Sequence, residues 1–173
     1  MLRMLCLSLL LGLVAPVMAD TLTVGQPAPV FALKDQSGVM RSLEQFRGKW
    51  LVLYFYPKND TPGCTTEACN FRDGQAFITG LGAQVVGVSI DESASHKAFA
   101  EKYKLPFPLL ADAEGTVADR YGALSNWGVV RFAKRQTFII DPRGVLRKIY
   151  RDVDADKHAQ QVLDDLKALT TRG

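Results

Sequence analysis

Cysteine is scarce in this chain: three residues of 173. Histidine is scarcer still, with His96 and His158 standing alone. No grouping of His, Cys, Asp and Glu has the spacing of metal ligands, so no metal site is expected. Cys-x-x-Cys, which a thioredoxin-like thiol–disulfide oxidoreductase acting on proteins would want, is absent. No glycine loop can cradle a phosphate; Gly80-Leu81-Gly82 is too short and falls in a helix-to-strand turn. No organic cofactor is therefore expected either. Charge of one sign is also lacking: 21 basic residues face 18 acidic ones, for a formal net of +3. That balance argues against nucleic acid or an anionic membrane as partner. The basic residues are scattered, apart from Arg131, Lys134 and Arg135. There is no internal repeat, no low-complexity tract and no linker. Asp91-Glu92 and Asp164-Asp165 read as solvated faces.

What is present begins with an unusual amino terminus. Arg3 precedes a compact apolar run from Leu5 to Val14, followed by Ala15-Pro16-Val17-Met18-Ala19. This is the pattern of a secretory signal, with cleavage expected after Ala19. A membrane anchor is the alternative, but the apolar stretch from Met4 to Met18 contains Ser8, Gly12 and Pro16. It also falls short of the roughly 18–20 residues that a spanning helix needs. Cys6 lies inside this run without a lipobox before it, which argues against a lipoprotein. Residues 1–19 are thus expected to be removed, leaving residues 20–173 as one domain with a sizeable core. Export predicts a periplasmic location with no stable membrane association. It also places the remaining two thiols, Cys64 and Cys69, in an oxidising compartment.

Along the mature chain, Pro27 and Pro29 make residues 20–30 an extended entry. Residues 31–34 and 39–42 flank a hairpin turn, and 43–46 suit a short helical turn. Trp50 to Tyr56 is an almost unbroken apolar and aromatic run, the mark of a central strand buried on both faces. Helix is predicted for 61–81, strand for 84–90, and helix for 93–104 with Ser93 or Ser95 as N-cap. A short strand at 107–111 and a short helix at 116–121 follow. Residues 123–134, with Trp127, Val129, Val130 and Phe132, read either as a surface loop anchored in the core by its tryptophan or as a flank of the functional site. Strands at 137–141 and 145–151 and an amphipathic helix at 156–169 close the chain. The alternation predicts a single α/β domain: a mixed central β-sheet flanked by helices.

The junction after the first central strand carries the chemistry. Thr61-Pro62-Gly63 is a strong turn signal, and Cys64 falls in the first turn of the helix beyond it. Glu67 falls where a capping-box acid would lie relative to Cys64. A helix start offers unpaired N–H groups and a partial positive charge, which favour thiolate over thiol. The polar residues Lys58, Asn59, Asp60, Thr61 and Thr65 predict a partly open loop rather than the site of a buried structural thiol. A thiol of ordinary pKa, about 8.5, is roughly 3% ionised at pH 7. Lowering that pKa to about 6 gives roughly thirtyfold more thiolate, worth about 2 kcal/mol. Ionisation alone therefore cannot make an efficient enzyme. Preorganised donors must hold the electrophile: the Gly63 and Cys64 amides, the Thr61 hydroxyl, and a guanidinium from elsewhere.

Cys69 follows five residues later. On a regular helix the two Cα atoms would be roughly 8.6 Å apart on nearly opposite faces. A disulfide wants about 4.4–6.8 Å, so the first turn must unwind before one can close. A permanent structural disulfide is the alternative, but so small a loop gains little stability from a crosslink. The spacing favours a bond that forms and breaks.

Taken together, Pro57-x-x-x-Thr61-x-x-Cys64, then Pro62-Gly63-Cys64-Thr65 and Glu67-Ala68-Cys69, resemble the peroxiredoxins. The likeness is to the peroxiredoxin Q or bacterioferritin-comigratory-protein branch. It extends through Gly87-Val88-Ser89 with Asp91, Ser95-His96, Leu105 to Leu110 and Arg135-x-Thr137 to Asp141, and covers about residues 24–169. The resemblance implies a thioredoxin-like fold and a thiol-dependent peroxidase. Cys64 would be the peroxidatic residue, becoming a sulfenic acid as it reduces a hydroperoxide. Cys69 would resolve it as an intramolecular disulfide, reduced in turn by a thioredoxin-like dithiol protein. Pro57 would shield the sulfur, Thr61 would bond thiolate and peroxide, and Arg135, rather than nearby Arg131, would hold both. Intramolecular resolution needs no second subunit, so a monomer is expected. The export signal departs from the many cytosolic members and leaves the electron donor open. An exported thiol–disulfide oxidoreductase, and a non-catalytic exported domain with a structural disulfide, are the alternatives.

Overall fold

The computed structural model describes residues 22–171, so the expected signal segment lies outside the described residues. The chain runs β1 (Ala32–Asp35), β2 (Met40–Ser42), a 3-10 turn (Leu43–Phe46), β3 (Trp50–Phe55), α1 (Pro62–Gly80), β4 (Ala83–Ser89) and α2 (Ser93–Tyr103). It continues through β5 (Leu109–Ala111), α3 (Thr116–Arg120), β6 (Leu124–Asn126), β7 (Arg131–Ala133), β8 (Gln136–Ile140), β9 (Leu146–Tyr150) and α4 (His158–Thr170). Seven strands form one sheet in the order β2-β1-β5-β4-β3-β8-β9. The central β3 pairs parallel with β4 and antiparallel with β8, which makes the sheet mixed as the alternating pattern predicts.

The run from Trp50 is buried on both faces, and the strand period of two sorts its side chains. Val52, Tyr54 and Tyr56 enter one apolar layer, with Cys64, Phe71, Phe99, Val162 and Leu166. Leu51, Leu53 and Phe55 enter the other, with Val88, Val117, Tyr121 and Phe138. The first layer lies under α1, α2 and α4; the second lies under α3 and the amino-terminal segment. Burying both faces of one strand leaves no polar position on it, which is why the sequence there is continuous rather than alternating.

Four local expectations are corrected. The α2 N-cap is Glu92, with no side-chain cap bond; Ser95 instead accepts a bond from Asn59 Nδ2 at 2.8 Å. Helix α4 starts at His158 rather than at residue 156, because the Asp154 carboxylate and carbonyl take the amides of Asp156 and His158 into a preceding turn. Strand β5 is shorter than expected because Pro108 has no N–H to give the ladder and the Phe107 carbonyl is taken by the Gln36 side chain. Residues 124–133 form a two-stranded hairpin with Gly128 at positive φ near its tip. Trp127 there is 79% exposed, so it anchors nothing in the core.

Candidate active site

Proline at the first position of a helix lacks only an N–H that would be unpaired anyway. Pro62 takes that position in α1, with Thr61 as N-cap. The first intrahelical bond is Thr65 N–H to the Thr61 carbonyl, 2.9 Å. The amides of Gly63 and Cys64 therefore lie ahead of the helix ladder, at its positive end. The loop before it is partly open as expected, with Lys58 and Asp60 exposed, but the Cys64 thiol itself is buried, at 1% exposure. Cys64 and Cys69 are both free thiols.

Burial of this sulfur is not burial in hydrocarbon alone. The register of β3 and β8 sets Gln136 opposite Phe55, so Arg135 arrives beside the end of β3. Its Nη2 donates to Cys64 Sγ at 3.2 Å, and its Nη1 donates to Glu67 Oε2. Gly63 makes room for this: a Cβ there would meet Arg135 Nη2 at 3.2 Å. Arg131 points elsewhere, donating to the carbonyls of Ala113 and Glu114.

Glu67 is not the capping acid that its spacing predicts: it is fully buried and pairs with Arg135. Burial pushes its carboxyl up to about 7, partly offset by the Arg135 cation. Burial works against the Arg135 charge as well, yet Glu67 and Cys64 hold its proton more firmly than usual. The i,i+3 spacing from Cys64 to Glu67 was the available signal, since it puts both on one helix face. Glu67 Oε1 and the Tyr54 hydroxyl, both buried, have no hydrogen-bond partner.

The loop from Pro57 to Thr61 is pinned from behind. Tyr56 donates to Asn59 Oδ1 at 2.8 Å, and Asn59 Nδ2 faces both Ser95 Oγ and His96 Nδ1. His96 Nε2 meets the Leu110 carbonyl at 3.1 Å, so that nitrogen carries the ring proton and Nδ1 accepts. Burial holds His96 below its usual range, which keeps it neutral for this role. Asp91 takes the Asn59 amide at 2.9 Å and the Ser89 hydroxyl at 2.7 Å, so it is a structural anchor rather than a solvated face. Lys102 ties Asp60 at 2.7 Å. Pro57 lies half-buried in this loop. Thr61 Oγ1 donates to the Lys58 carbonyl at 3.0 Å, so its hydroxyl is directed at the loop rather than at the sulfur. Cys69, half-buried, lies further along α1 on a different face from Cys64.

A thiol at a helix start, beneath a guanidinium and at the carboxyl end of the central parallel strands of a thioredoxin-like sheet, defines the class of thiol-based peroxidases. The comparisons agree. The AhpC/TSA family model matches residues 24–149. A putative peroxiredoxin bcp of Coxiella burnetii is 43% identical over 152 residues, covering 84% of this chain and 99% of that protein. The chloroplastic peroxiredoxin Q of Arabidopsis thaliana is 47% identical over 152 residues, 83% of this chain and 67% of that one. The crystal structure of peroxidoxin BcpB from Mycobacterium tuberculosis superposes with a TM-score of 0.80 at 36% identity, covering 84% of this chain and 97% of that one. The bacterioferritin comigratory protein of Xanthomonas campestris, described for alkyl peroxide reduction, gives 0.76 at 34%, covering 81% and 92%. This chain belongs to the AhpC/TSA family, in its peroxiredoxin Q and bacterioferritin-comigratory-protein branch, and is a thiol peroxidase.

Proposed function

We propose that this peroxidase reduces hydrogen peroxide and organic hydroperoxides through Cys64, resolves the product with Cys69 inside one chain, and is recycled by a thioredoxin-like dithiol protein. The observation that carries the reading is the Arg135 guanidinium on Cys64 Sγ at 3.2 Å, at the start of a helix that also carries a second free thiol. The Cys64 thiolate attacks the terminal peroxide oxygen, the O–O bond breaks, and the remaining oxygen leaves as water or alcohol once protonated. Cys64 becomes a sulfenic acid. Arg135 holds thiolate and peroxide together, with Glu67 fixing the guanidinium. Thr61 joins them when its hydroxyl turns from the Lys58 carbonyl, and Pro57 limits access of water. Cys69 then displaces hydroxide from the Cys64 sulfur, which requires the first turn of α1 to unwind. No metal or cofactor takes part, and the chain acts as a monomer.

Residues 1–19 are read as an export signal, and the enzyme as periplasmic, so its reductant is a dithiol protein of that compartment. Nothing in the site favours the two alternatives, a disulfide exchanger or a non-catalytic domain.

One equivalent of hydrogen peroxide added to reduced protein tests the chemistry, followed by mass spectrometry and stopped-flow tryptophan fluorescence. The wild type should lose two hydrogens, and Cys69→Ser should hold a sulfenic acid. Cys64→Ser should not react; unchanged peroxide consumption by that variant defeats the mechanism.

A further inference from the structure

We infer that Arg72 is a catalytic residue of the resolving step, resting on the reading of Cys69 as the resolving thiol: its guanidinium receives the negative charge on the Cys69 sulfur. Cys69 and Arg72 are three apart on α1 and so share a face. Helical side chains lean toward the amino terminus, which carries Arg72 back over the turn that holds Cys69. Asp73 first, and then the nearby Cys69 sulfur, hold the Arg72 proton more firmly than usual.

A surface arginine ordinarily samples many rotamers, at a cost in entropy when it is fixed. This one is fixed at two points. Its Nε donates to Asp73 Oδ1 at 2.8 Å, and its Nη1 donates to the carbonyl of Tyr103, at the end of α2, also at 2.8 Å. The side chain is only 32% exposed. Asp73, the acid paired with it, is 66% exposed and so screens the cation weakly. Arg135 donates to the Cys64 sulfur, and Arg72 lies one helical turn beyond Cys69 on the same face of α1.

In the resolving step Cys69 gives its proton to solvent and its sulfur attacks the sulfur of the Cys64 sulfenic acid. The S–S bond forms, the S–O bond breaks, and the departing hydroxide takes a proton to leave as water. The electrons lost by the two cysteines are those already taken by the peroxide. Intact α1 holds the two Cα atoms roughly 8.6 Å apart, so the chain on the Cys64 side must unwind. Arg72, tied to Tyr103, lies on the side that stays helical. Its cation remains beside Cys69 while Cys64 approaches.

The test is stopped-flow fluorescence on the full chain after one equivalent of hydrogen peroxide, with quenched samples for mass spectrometry. Wild type, Arg72→Gln, Arg72→Met and Arg72→Lys are compared from about pH 6 to about pH 9, the span in which thiols ionise. The first phase, oxidation of Cys64, should stay within about twofold of wild type in all four, while Gln and Met should slow the second phase, disulfide formation, by about tenfold or more. Lysine should restore most of that rate, and the deficit of the neutral variants should shrink toward high pH, where the thiol loses its proton unaided. With excess peroxide the slowed variants should accumulate sulfinic acid at Cys64. Both phases are read in the same folded sample, so a general loss of structure cannot imitate a change confined to the second. Resolution at the wild-type rate in Arg72→Gln overturns the role of Arg72 and leaves the resolving role of Cys69 standing. Equal slowness in the Lys and Met variants also overturns it, leaving the tie to Tyr103 as the whole effect. Wild-type protein that forms no bond between Cys64 and Cys69 removes both readings.

Discussion

At the scale of single residues, Glu67 does the work that its sequence position concealed. It is the anchor for the guanidinium that faces the sulfur. A hydrogen bond between charged groups is worth about 1.5–3 kcal/mol, so Glu67→Ala should slow oxidation of Cys64 by roughly ten- to a hundredfold. Glu67→Gln keeps a bond to Arg135 and should lose about tenfold or less. Stopped-flow rates against hydrogen peroxide measure both, and a full rate in Glu67→Ala would show that Arg135 needs no such support. Motif spacing names Cys64 and Arg135 directly, and the fold brings the two into contact. Glu67 is not legible in this way, because its partner Arg135 arrives from 68 residues along the chain, and no local pattern in 62–80 announces that. Asp91 hides its role for the same reason: the Asn59 amide that it accepts is 32 residues away.

At the scale of elements, the loop between β3 and α1 is held by a network reaching into α2 and β5. Asp60 adds a residue at φ 57, a conformation that aspartate tolerates better than most. The proposed resolution needs this loop to stay still while the turn beyond it opens; these bonds hold it, so removing the central ones should loosen it selectively. Asn59→Ala is expected to speed amide exchange over residues 57–63 by about tenfold, equivalent to roughly 1.4 kcal/mol, with little change in the sheet. Hydrogen-exchange mass spectrometry reads this; uniform acceleration throughout the protein would instead mean a global effect. Most elements were readable from period and turn residues alone. The β6–β7 hairpin was not, since its strands of three residues carry too few alternations to register and it forms a sheet of its own.

At the scale of the whole molecule, two buried groups act oppositely on stability as pH changes. Glu67 is raised from 4.5 to about 7 in the folded protein. The unfolded chain releases that proton first, so the fold loses stability as pH rises from about 4.5 to about 7, on the order of 3 kcal/mol. His158 sits beneath the site, bonded through Nε2 to Thr137 Oγ1 at 2.8 Å, and is lowered from 6.5 to about 4, by burial first and then by Arg135. Its contribution is present above pH 6.5 and fades as pH falls toward about 4, by a similar amount. Between about pH 4.5 and 6.5 the two slopes cancel, and the wild type should show a nearly flat stability profile. Glu67→Gln should expose a rise with pH and His158→Gln a fall, seen as shifts in the urea midpoint. A flat profile in both variants would mean that neither group titrates as its surroundings dictate.

Strand β3 is a party wall. Its even-numbered side chains face the room where sulfur chemistry happens, and its odd-numbered ones furnish a separate room with no reactive group in it. A protein divided this way can be refurnished on one side without disturbing the tenant on the other. Leu51, Leu53 and Phe55 are where drift or redesign can adjust robustness freely, whereas the same exchange at Tyr54 or Tyr56 reaches the reactive thiol through a single shared packing layer.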